Sequence, residues 1–180
     1  MRSANLVYRA LLAAGLFAFL PVLRIYAADS GLISKPSDHS VQETVERFEK
    51  AVKAKGGVGR MVFTEIDHAA AASKNGLTLK PRTVIVFGNP NLGTKPMEGA
   101  PTLAIDVPLR ALVWQDDQDK VWLTYNSGLY LRSHVYPRHG LAMPAESAEA
   151  IDQVLAIFAE EGTHNPSRAP GPLITPVKPL

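Results

Sequence analysis

The segment Thr83–Phe87, TVIVF, is a near-continuous apolar run, and it constrains the fold more than any other feature of the chain. Strands that lack polar/apolar alternation are typical of the interior of a sheet, where both faces are covered. The sequence therefore predicts a central strand here, buried on both faces. Four further segments read as strands: GLISKPS, RMVFTEI, RALVWQ and KVWLTYN. DDQD joins the last two, which predicts a β-hairpin.

The segment SVQETVERFEKAVKAKGG is the clearest helix in the sequence. Its apolar residues recur at spacings of four, three and four and so share one face: Val41, Val45, Phe48 and Val52. Ser40 and Glu43 have the spacing of a capping box, in which each side chain binds a backbone N–H at the other residue. Gly56 and Gly57 are predicted to end the helix.

A second long helix is predicted in PAESAEAIDQVLAIFAEEG, which begins near Pro144. Its apolar stripe consists of Ile151, Val154, Leu155 and Phe158. DHAAAASKNG predicts a short helix that Asp67 caps and Gly76 ends. Together these elements predict an α+β fold, a compact two-layer domain with a β-sheet packed against helices. The expected core includes Val45, Phe48, Val52, Val84, Val86, Val113, Trp122 and Leu155.

Residues 1–27 have the pattern of a secretory signal peptide. Arg2 and Arg9 precede an apolar run, Ala10–Leu23, which as a helix would span about 21 Å, less than the hydrocarbon core of a membrane. Cleavage is expected after Ala27, which predicts a periplasmic or secreted protein with no stable membrane anchor; the alternative is an uncleaved anchor. Residues 28–162 are expected to form a single domain, and residues 163–180, with five prolines, a disordered tail.

Composition excludes several classes of function. The chain has no cysteine, which excludes disulfides, thiolate metal sites and cysteine nucleophiles. Of the 19 basic residues, three lie in the predicted signal peptide, so 16 remain against 17 acidic residues. Without a sustained basic stretch, a nucleic-acid partner is not expected.

The strand TVIVF runs into Gly88, and Gly93, Thr94 and Lys95 follow, which is close to a phosphate-binding P-loop. In a P-loop, however, the lysine precedes the hydroxyl residue and a helix starts at the second glycine. Here the order is reversed, and Pro96 follows Lys95. Nucleotide triphosphate binding is therefore not expected at this segment.

Across residues 32–141 the sequence resembles the Domain of Unknown Function 302 family, and its segments follow in the same order as in that family. The resemblance rests on SVQETVERFEKAVKAKGG, EIDHAAAASKNGLTLKPRTVIVFGNPNLGTKPM, IDVPLRALVWQDDQDKVWLTYN and YPRHGL. It implies a two-layer α+β domain that forms a homodimer, without an established biochemical activity. Two local departures concern loops: the hairpin Asp116–Lys120 has no glycine, and YNSGLYL has no proline after Asn126.

Two interpretations of the glycine-rich segment remain open. Its backbone N–H groups, beside Asn89, Thr94 and Lys95, can hold a small anion. Alternatively, the segment is a rigid turn whose polar groups satisfy one another. The candidate ligand-binding residues are His68, Gly88, Asn89, Gly93, Thr94, Lys95, Tyr125 and His139.

His68 and His139 are also the candidate metal ligands, and Asp67 is a candidate to orient His68. Because only six residues join the predicted short helix to TVIVF, we expect His68 and the Gly88–Thr94 segment to border one polar pocket. The predicted function is an exported, non-catalytic module that binds a small ligand, an anion or a metal, or that binds a partner. The alternative is a His-dependent enzyme or a metal- or haem-binding protein using His68 and His139. Catalytic residues and cofactors stay unassigned.

Overall fold

A computed structural model describes residues 30–55 and 57–166. Five strands form one antiparallel sheet in the order β1-β5-β4-β3-β2. The strands are β1 (Leu32–Pro36), β2 (Met61–Asp67), β3 (Arg82–Gly88), β4 (Leu109–Gln115) and β5 (Val121–Asn126). The long helices are α1 (Val41–Lys55) and α6 (Ala145–Thr163). The predicted α+β class, the interior position of TVIVF and the β4–β5 hairpin are confirmed.

Shorter helical elements connect the strands. They are α2 (His68–Ser73), α3 (Pro90–Gly99), a 3₁₀ helix (Pro101–Ile105), α4 (Gly128–Tyr130), a π-helical turn (Leu131–Val135) and α5 (Tyr136–Arg138). The last three follow one another without a break and form a single helical segment before α6. Asp67 caps α2 as predicted, since its carboxylate accepts a hydrogen bond from the N–H of Ala70 at 2.9 Å.

The main core lies between the sheet and the pair α1–α6. Phe48 of α1, Phe87 of β3 and Phe158 of α6 are fully buried, and their rings meet edge to face with centroids 5.2–6.3 Å apart. Such aromatic pairs add to the stability that area burial gives. The apolar stripes predicted for the two helices therefore face the sheet.

The prediction that β3 is buried on both faces is wrong. Thr83, Ile85 and Phe87 are buried, whereas Val84 and Val86 are only half-buried. The residues alternate because α1 and α6 pack on one face of the sheet, whereas Val84 and Val86 lie on the second face. On that second face Trp114 stacks on Trp122 with centroids 6.3 Å apart, and both indoles donate hydrogen bonds.

Of the two hydrogen bonds of the predicted capping box at the start of α1, one is present and the other is replaced by a contact with His39. Ser40 Oγ accepts a hydrogen bond from the N–H of Glu43 at 3.2 Å, as predicted. The Glu43 carboxylate, however, lies 2.8 Å from Nδ1 of His39, whose side chain is only 6% exposed. His39 is therefore part of the helix start.

The β4–β5 turn needs no glycine because two aspartates build it. Asp119 takes the left-handed conformation, with φ of 61°. The Asp116 carboxylate accepts hydrogen bonds from the N–H groups of Gln118 and Lys120 and from the Trp122 indole. These donors favour the ionised carboxylate; the bond from Trp122 is the largest cause of the lowered pKa of Asp116.

The domain continues beyond the predicted boundary at residue 162. α6 ends at Thr163, which is buried, and the carbonyl oxygen of His164 accepts a hydrogen bond from Arg47 at 3.2 Å. The N–H of Asn165 bonds to Asp38. The predicted signal peptide and the rest of the predicted tail, from residue 167, lie outside the described residues. Across residues 30–55 and 57–166, none of the helices has the length and apolar character needed to cross a membrane.

Candidate ligand-binding site

The glycine-rich segment after β3 is a helix, not the loop that the sequence predicted. Asn89 caps α3: it has extended φ and ψ angles of −130° and 107°, and its side chain accepts a hydrogen bond from the N–H of Asn91. Pro90 follows at the first helical position, where proline loses no hydrogen bond and has a suitable φ. The helix passes through Pro96 and ends at Gly99.

The polar groups of this segment bond to one another. The N–H groups of Leu92 and Gly93 donate to the carbonyl oxygen of Asn89, and the Thr94 hydroxyl donates to that of Pro90. The Asn89 amide donates to the carbonyl oxygen of Val58 at 3.0 Å. These bonds agree with the interpretation in which the polar groups satisfy one another, although the segment is a helix rather than a turn, and they leave fewer N–H groups for an anion. The geometry also excludes a P-loop, because residues between the two glycines are helical.

An apolar pocket of about 160 Å³ lies at the junction of β3 and α3. Its walls come from β2, β3, α3, the approach to β4, the π-helical turn, α5 and the start of α6. The lining residues are Arg60, Phe63, Gly88, Asn89, Pro90, Leu92, Gly93, Met97, Val107, Pro108, Leu109, Leu131, Tyr136, Met143 and Ile151. Three of the predicted ligand-binding residues, Gly88, Asn89 and Gly93, are among them.

Local backbone features bring these walls together. The β2–β3 register shifts between Val62 and Thr64, which makes Phe63 the extra residue of a β-bulge. Such bulges re-aim a side chain, and Phe63 lines the pocket. At Gly88 a Cβ atom would lie 3.2 Å from Pro108 Cβ and 3.4 Å from Phe63 Cε2, so a side chain here would require Pro108 to move by a few tenths of an ångström.

Arg60 is the charged residue in the pocket wall. Its guanidinium carbon lies 5.4 Å from the centroid of the Phe158 ring, within the range of a cation–π interaction. Burial lowers the pKa of Arg60, because removing water disfavours the charged form. Tyr136 also lines the pocket, and burial raises the pKa of its phenol.

His68 lies at the other end of the sheet, so the expected pocket shared by His68 and the Gly88–Thr94 segment is wrong. Asp67, next to His68, pairs with Thr83 at the start of β3, whereas Gly88 pairs with Met61. The five residue steps from Thr83 to Gly88 cover about 17 Å along an antiparallel strand. Thr83, at the start of β3, lies opposite Asp67, so the strand runs from there in the direction away from His68 and ends at Gly88. The His68 side chain is exposed.

The remaining predicted residues are also outside the pocket. Tyr125 is 4% exposed and belongs to the main core, where burial first and the charge of Asp152 second raise the pKa of Tyr125 to about 12. Lys95 and Thr94 are exposed on α3. His139 is bonded to Asp106 and Thr102 at the end of the sheet opposite His68.

The two candidate metal ligands, His68 and His139, therefore do not form a common site. Among the residues that the structure describes, no three histidine, aspartate or glutamate side chains group as a metal site. Sequence reasoning missed Arg60, Phe63 and Met97. A signal for Met97 was present: Pro90, Gly93 and Met97 have the i, i+3, i+7 spacing of one helical face.

The fold and the pocket define a class of protein: a two-layer α+β domain with a small apolar pocket at one end of its sheet. Within that class the chain belongs to the family described as domain of unknown function DUF302, whose sequence model matches residues 33–158. The match extends beyond the predicted residues 32–141 into α6. A crystal structure of an uncharacterized conserved DUF302 protein from Bacillus stearothermophilus has the same fold, with a TM-score of 0.59 and 16% identity. The likeness covers 73% of this chain and 98% of that one.

Curated relatives are longer than this chain. It is 46% identical over 120 residues to a protein named fluoride-specific ion channel FluC 1 from Brucella suis biovar 1 (strain 1330), covering 67% of this chain and 44% of the relative. The protein named fluoride-specific ion channel FluC 2 from Brucella melitensis biotype 1 (strain ATCC 23456 / CCUG 17765 / NCTC 10094 / 16M) is also 46% identical over 120 residues, which cover 42% of its length. The matched part thus spans less than half of each relative.

Proposed function

We propose that this protein is an exported module that binds a small organic acid, with the apolar body of the ligand in the β3–α3 pocket and its carboxylate at Arg60. The observation that carries the proposal is the pocket itself, an apolar cavity with one charged residue in its wall. Small-molecule sites have this composition: they are mostly apolar, with a few polar groups that fix orientation.

The volume limits the size of the ligand. A cavity of about 160 Å³ is similar to an engineered cavity of about 150 Å³ that binds benzene. A ring or chain of about six carbon atoms therefore fits inside. Since the lining is mostly aliphatic and aromatic side chains, the enclosed part of the ligand is hydrocarbon.

Arg60 determines the charge of the ligand. A half-buried guanidinium group is stabilised by an anion, and its planar donors match the geometry of a carboxylate. Asn89 donates its amide to the carbonyl oxygen of Val58 and accepts a hydrogen bond from the N–H of Asn91. The pocket thus combines a hydrocarbon compartment with a cation, which is the complement of a short carboxylic acid.

Calorimetric titration with straight-chain carboxylates from acetate to octanoate tests this proposal. Each methylene that enters the pocket contributes about 0.8 kcal/mol, which is about a fourfold gain in affinity. We expect affinity to rise along the series and to stop rising when the cavity is full. Equal affinity for acetate and hexanoate would contradict the proposed pocket.

Two matched variants test the role of Arg60. Arg60→Gln should weaken hexanoate binding while leaving the weaker binding of hexanol unchanged, because only the carboxylate uses the guanidinium. Lys95→Gln removes an exposed positive charge on α3, and it should leave both affinities unchanged. If Lys95→Gln rather than Arg60→Gln weakened hexanoate binding, the anion would lie at the outer face of α3.

The Brucella relatives favour a second candidate function, as an accessory domain of a fluoride channel protein. Under this proposal the domain binds fluoride or acts beside the membrane part of such a protein. Fluorine NMR of fluoride ion with the purified domain distinguishes the two candidates. Broadening of the fluoride signal that persists when excess chloride is added supports fluoride binding. An unchanged fluoride signal, together with hexanoate binding, supports the organic-acid site.

A further inference from the structure

Three side chains outside the pocket form a hydrogen-bonded chain of hydroxyl, imidazole and carboxylate. Thr102 Oγ1 lies 2.9 Å from Nδ1 of His139, and Nε2 of His139 lies 2.6 Å from Oδ2 of Asp106. Thr102 belongs to the 3₁₀ helix, Asp106 caps the end of that helix, and His139 follows α5. The fold thus brings together residues that are more than 30 positions apart in the sequence.

The protons in this chain have a defined order. Arg138 Nε lies 3.1 Å from the Asp106 carboxylate, and a carboxylate can only accept hydrogen bonds. In the neutral form of His139, Nε2 is therefore the protonated nitrogen and Nδ1 is the acceptor. It follows that the Thr102 hydroxyl donates its proton to Nδ1, the arrangement in which a histidine acts as general base for a hydroxyl nucleophile.

The Thr102 and His139 side chains differ in their exposure to solvent. The His139 side chain is 5% exposed and is held in place, whereas Thr102 is exposed at an open surface depression. Pro101, Ile105 and Arg138 line the same depression. A substrate can thus reach the hydroxyl oxygen, while the imidazole behind it keeps its orientation.

We propose that Thr102 and His139 are the catalytic residues of an esterase site, with Asp106 as the positioning residue that fixes the His139 tautomer. Arg138 and Ile105 at the rim match a small ester that carries both an anionic and an apolar group. This site is independent of the β3–α3 pocket, and its activity does not depend on the proposed ligand of that pocket.

The reaction has two balanced steps. Thr102 Oγ1 attacks the ester carbonyl carbon while its proton moves to Nδ1 of His139; the bond to the alcohol then breaks, and the alcohol leaves with that proton. Water next attacks the acyl-threonine, giving a proton to Nδ1, and the Thr102 oxygen leaves and takes it back. One ester and one water thus give one acid and one alcohol.

The protein contains a control pair of the same chemical types. Ser133 Oγ lies 2.8 Å from Nδ1 of His134, but the Ser133 hydroxyl donates its proton to the carbonyl oxygen of Leu129 at 2.7 Å. Because that proton does not point to the imidazole, His134 does not activate Ser133. Ser133→Ala is therefore the matched control for variants of Thr102.

p-Nitrophenyl acetate is the probe that tests the site, with release of nitrophenol and peptide mass mapping as readouts. We expect an acetyl group on Thr102, loss of about 100-fold in rate in His139→Gln, and an equally slow Thr102→Val. Thr102→Ser should retain activity, Ser133→Ala should match the parent, and Asp106→Asn should lower the rate with the acetylated residue unchanged. If His139→Gln does not fold, Thr102→Val, checked by its melting temperature, decides the question. A Thr102→Val protein that hydrolyses the ester at the parent rate, or acetylation confined to lysines, would overturn the proposal.

Discussion

Phe48 is the residue on which the two layers of the domain depend. It is fully buried, its ring meets Phe87 of the sheet and Phe158 of α6, and its backbone lies against Gly162. A Cβ atom at Gly162 would lie 3.2 Å from Phe48 Cβ, so the two long helices approach closely where this ring enters the core. One side chain therefore links α1, α6 and the sheet.

Truncation of Phe48 tests this role. Phe48→Ala should lower the free energy of unfolding by about 3–5 kcal/mol, because it removes buried area and leaves a cavity. Denaturant unfolding measures the loss, and Val58→Ala, at a position 91% exposed, is the control that should change little. A Phe48→Ala protein that unfolds at the same denaturant concentration as the parent would show that the core does not depend on this contact.

Tyr125 gives the protein a pH dependence in the alkaline range. Burial, with a smaller effect of the Asp152 charge, raises the pKa of Tyr125 to about 12, above its ordinary value near 10. Between these values the unfolded chain loses the phenolic proton and the folded chain keeps it, so stability should fall as the pH rises from 10 to 12.

Tyr125→Phe removes this ionisation. The variant should lose less stability than the parent over the same pH interval, as measured by thermal unfolding at each pH. Tyr136 lines the pocket and has a pKa raised by burial as well, so Tyr136→Phe is a useful comparison. Parallel pH profiles for the parent and Tyr125→Phe would contradict the assignment.

At the scale of elements, the strands and long helices were predictable because their signals are local. The stripe of α1, the Asp67 cap of α2 and the hairpin all depend on residues close in sequence. The helix α3 was missed because Gly93, Pro96 and Gly99 are poor helix formers. The Asn89–Pro90 pair, which is a good helix start, outweighs them in the structure.

Gly93 tests both the helical state of α3 and its place in the pocket wall. A Cβ atom there makes an ordinary contact with Met97 Cε at 3.6 Å, and glycine lowers helix stability. Gly93→Ala and Gly93→Leu should each raise the free energy of unfolding by about 0.5–1 kcal/mol. Only Gly93→Leu, whose side chain fills the pocket, should also abolish hexanoate binding in calorimetry.

The Gly93 variants also separate the two claims. If both variants were destabilised, the segment would not be helical at Gly93. A Gly93→Leu protein that is stabilised and still binds hexanoate like the parent would place the ligand elsewhere on the domain.

At the scale of the whole molecule, the site was less predictable than the fold. The pocket combines residues from seven parts of the chain, and its composition follows from strand register and from the helical segment before α6. The β2–β3 register places Met61 opposite Gly88 and Asp67 opposite Thr83, so the start of β2, and not His68, lies beside Gly88. Sequence spacing does not determine that register. Export and dimer formation stay predictions of the sequence.

The proposed ligand of the pocket between β3 and α3 is a small organic acid. Methionine methyl NMR tests this proposal most directly, because the four methionines include a built-in control. Met97 and Met143 line the pocket, Met61 does not, and Met1 lies in the predicted signal peptide. On titration of ¹³C-methyl-methionine protein with hexanoate, the Met97 and Met143 signals should shift together and saturate, while that of Met61 stays unchanged. A saturating shift of Met61 alone, or no shift of any methyl signal at millimolar hexanoate, would show that the acid does not bind in this pocket.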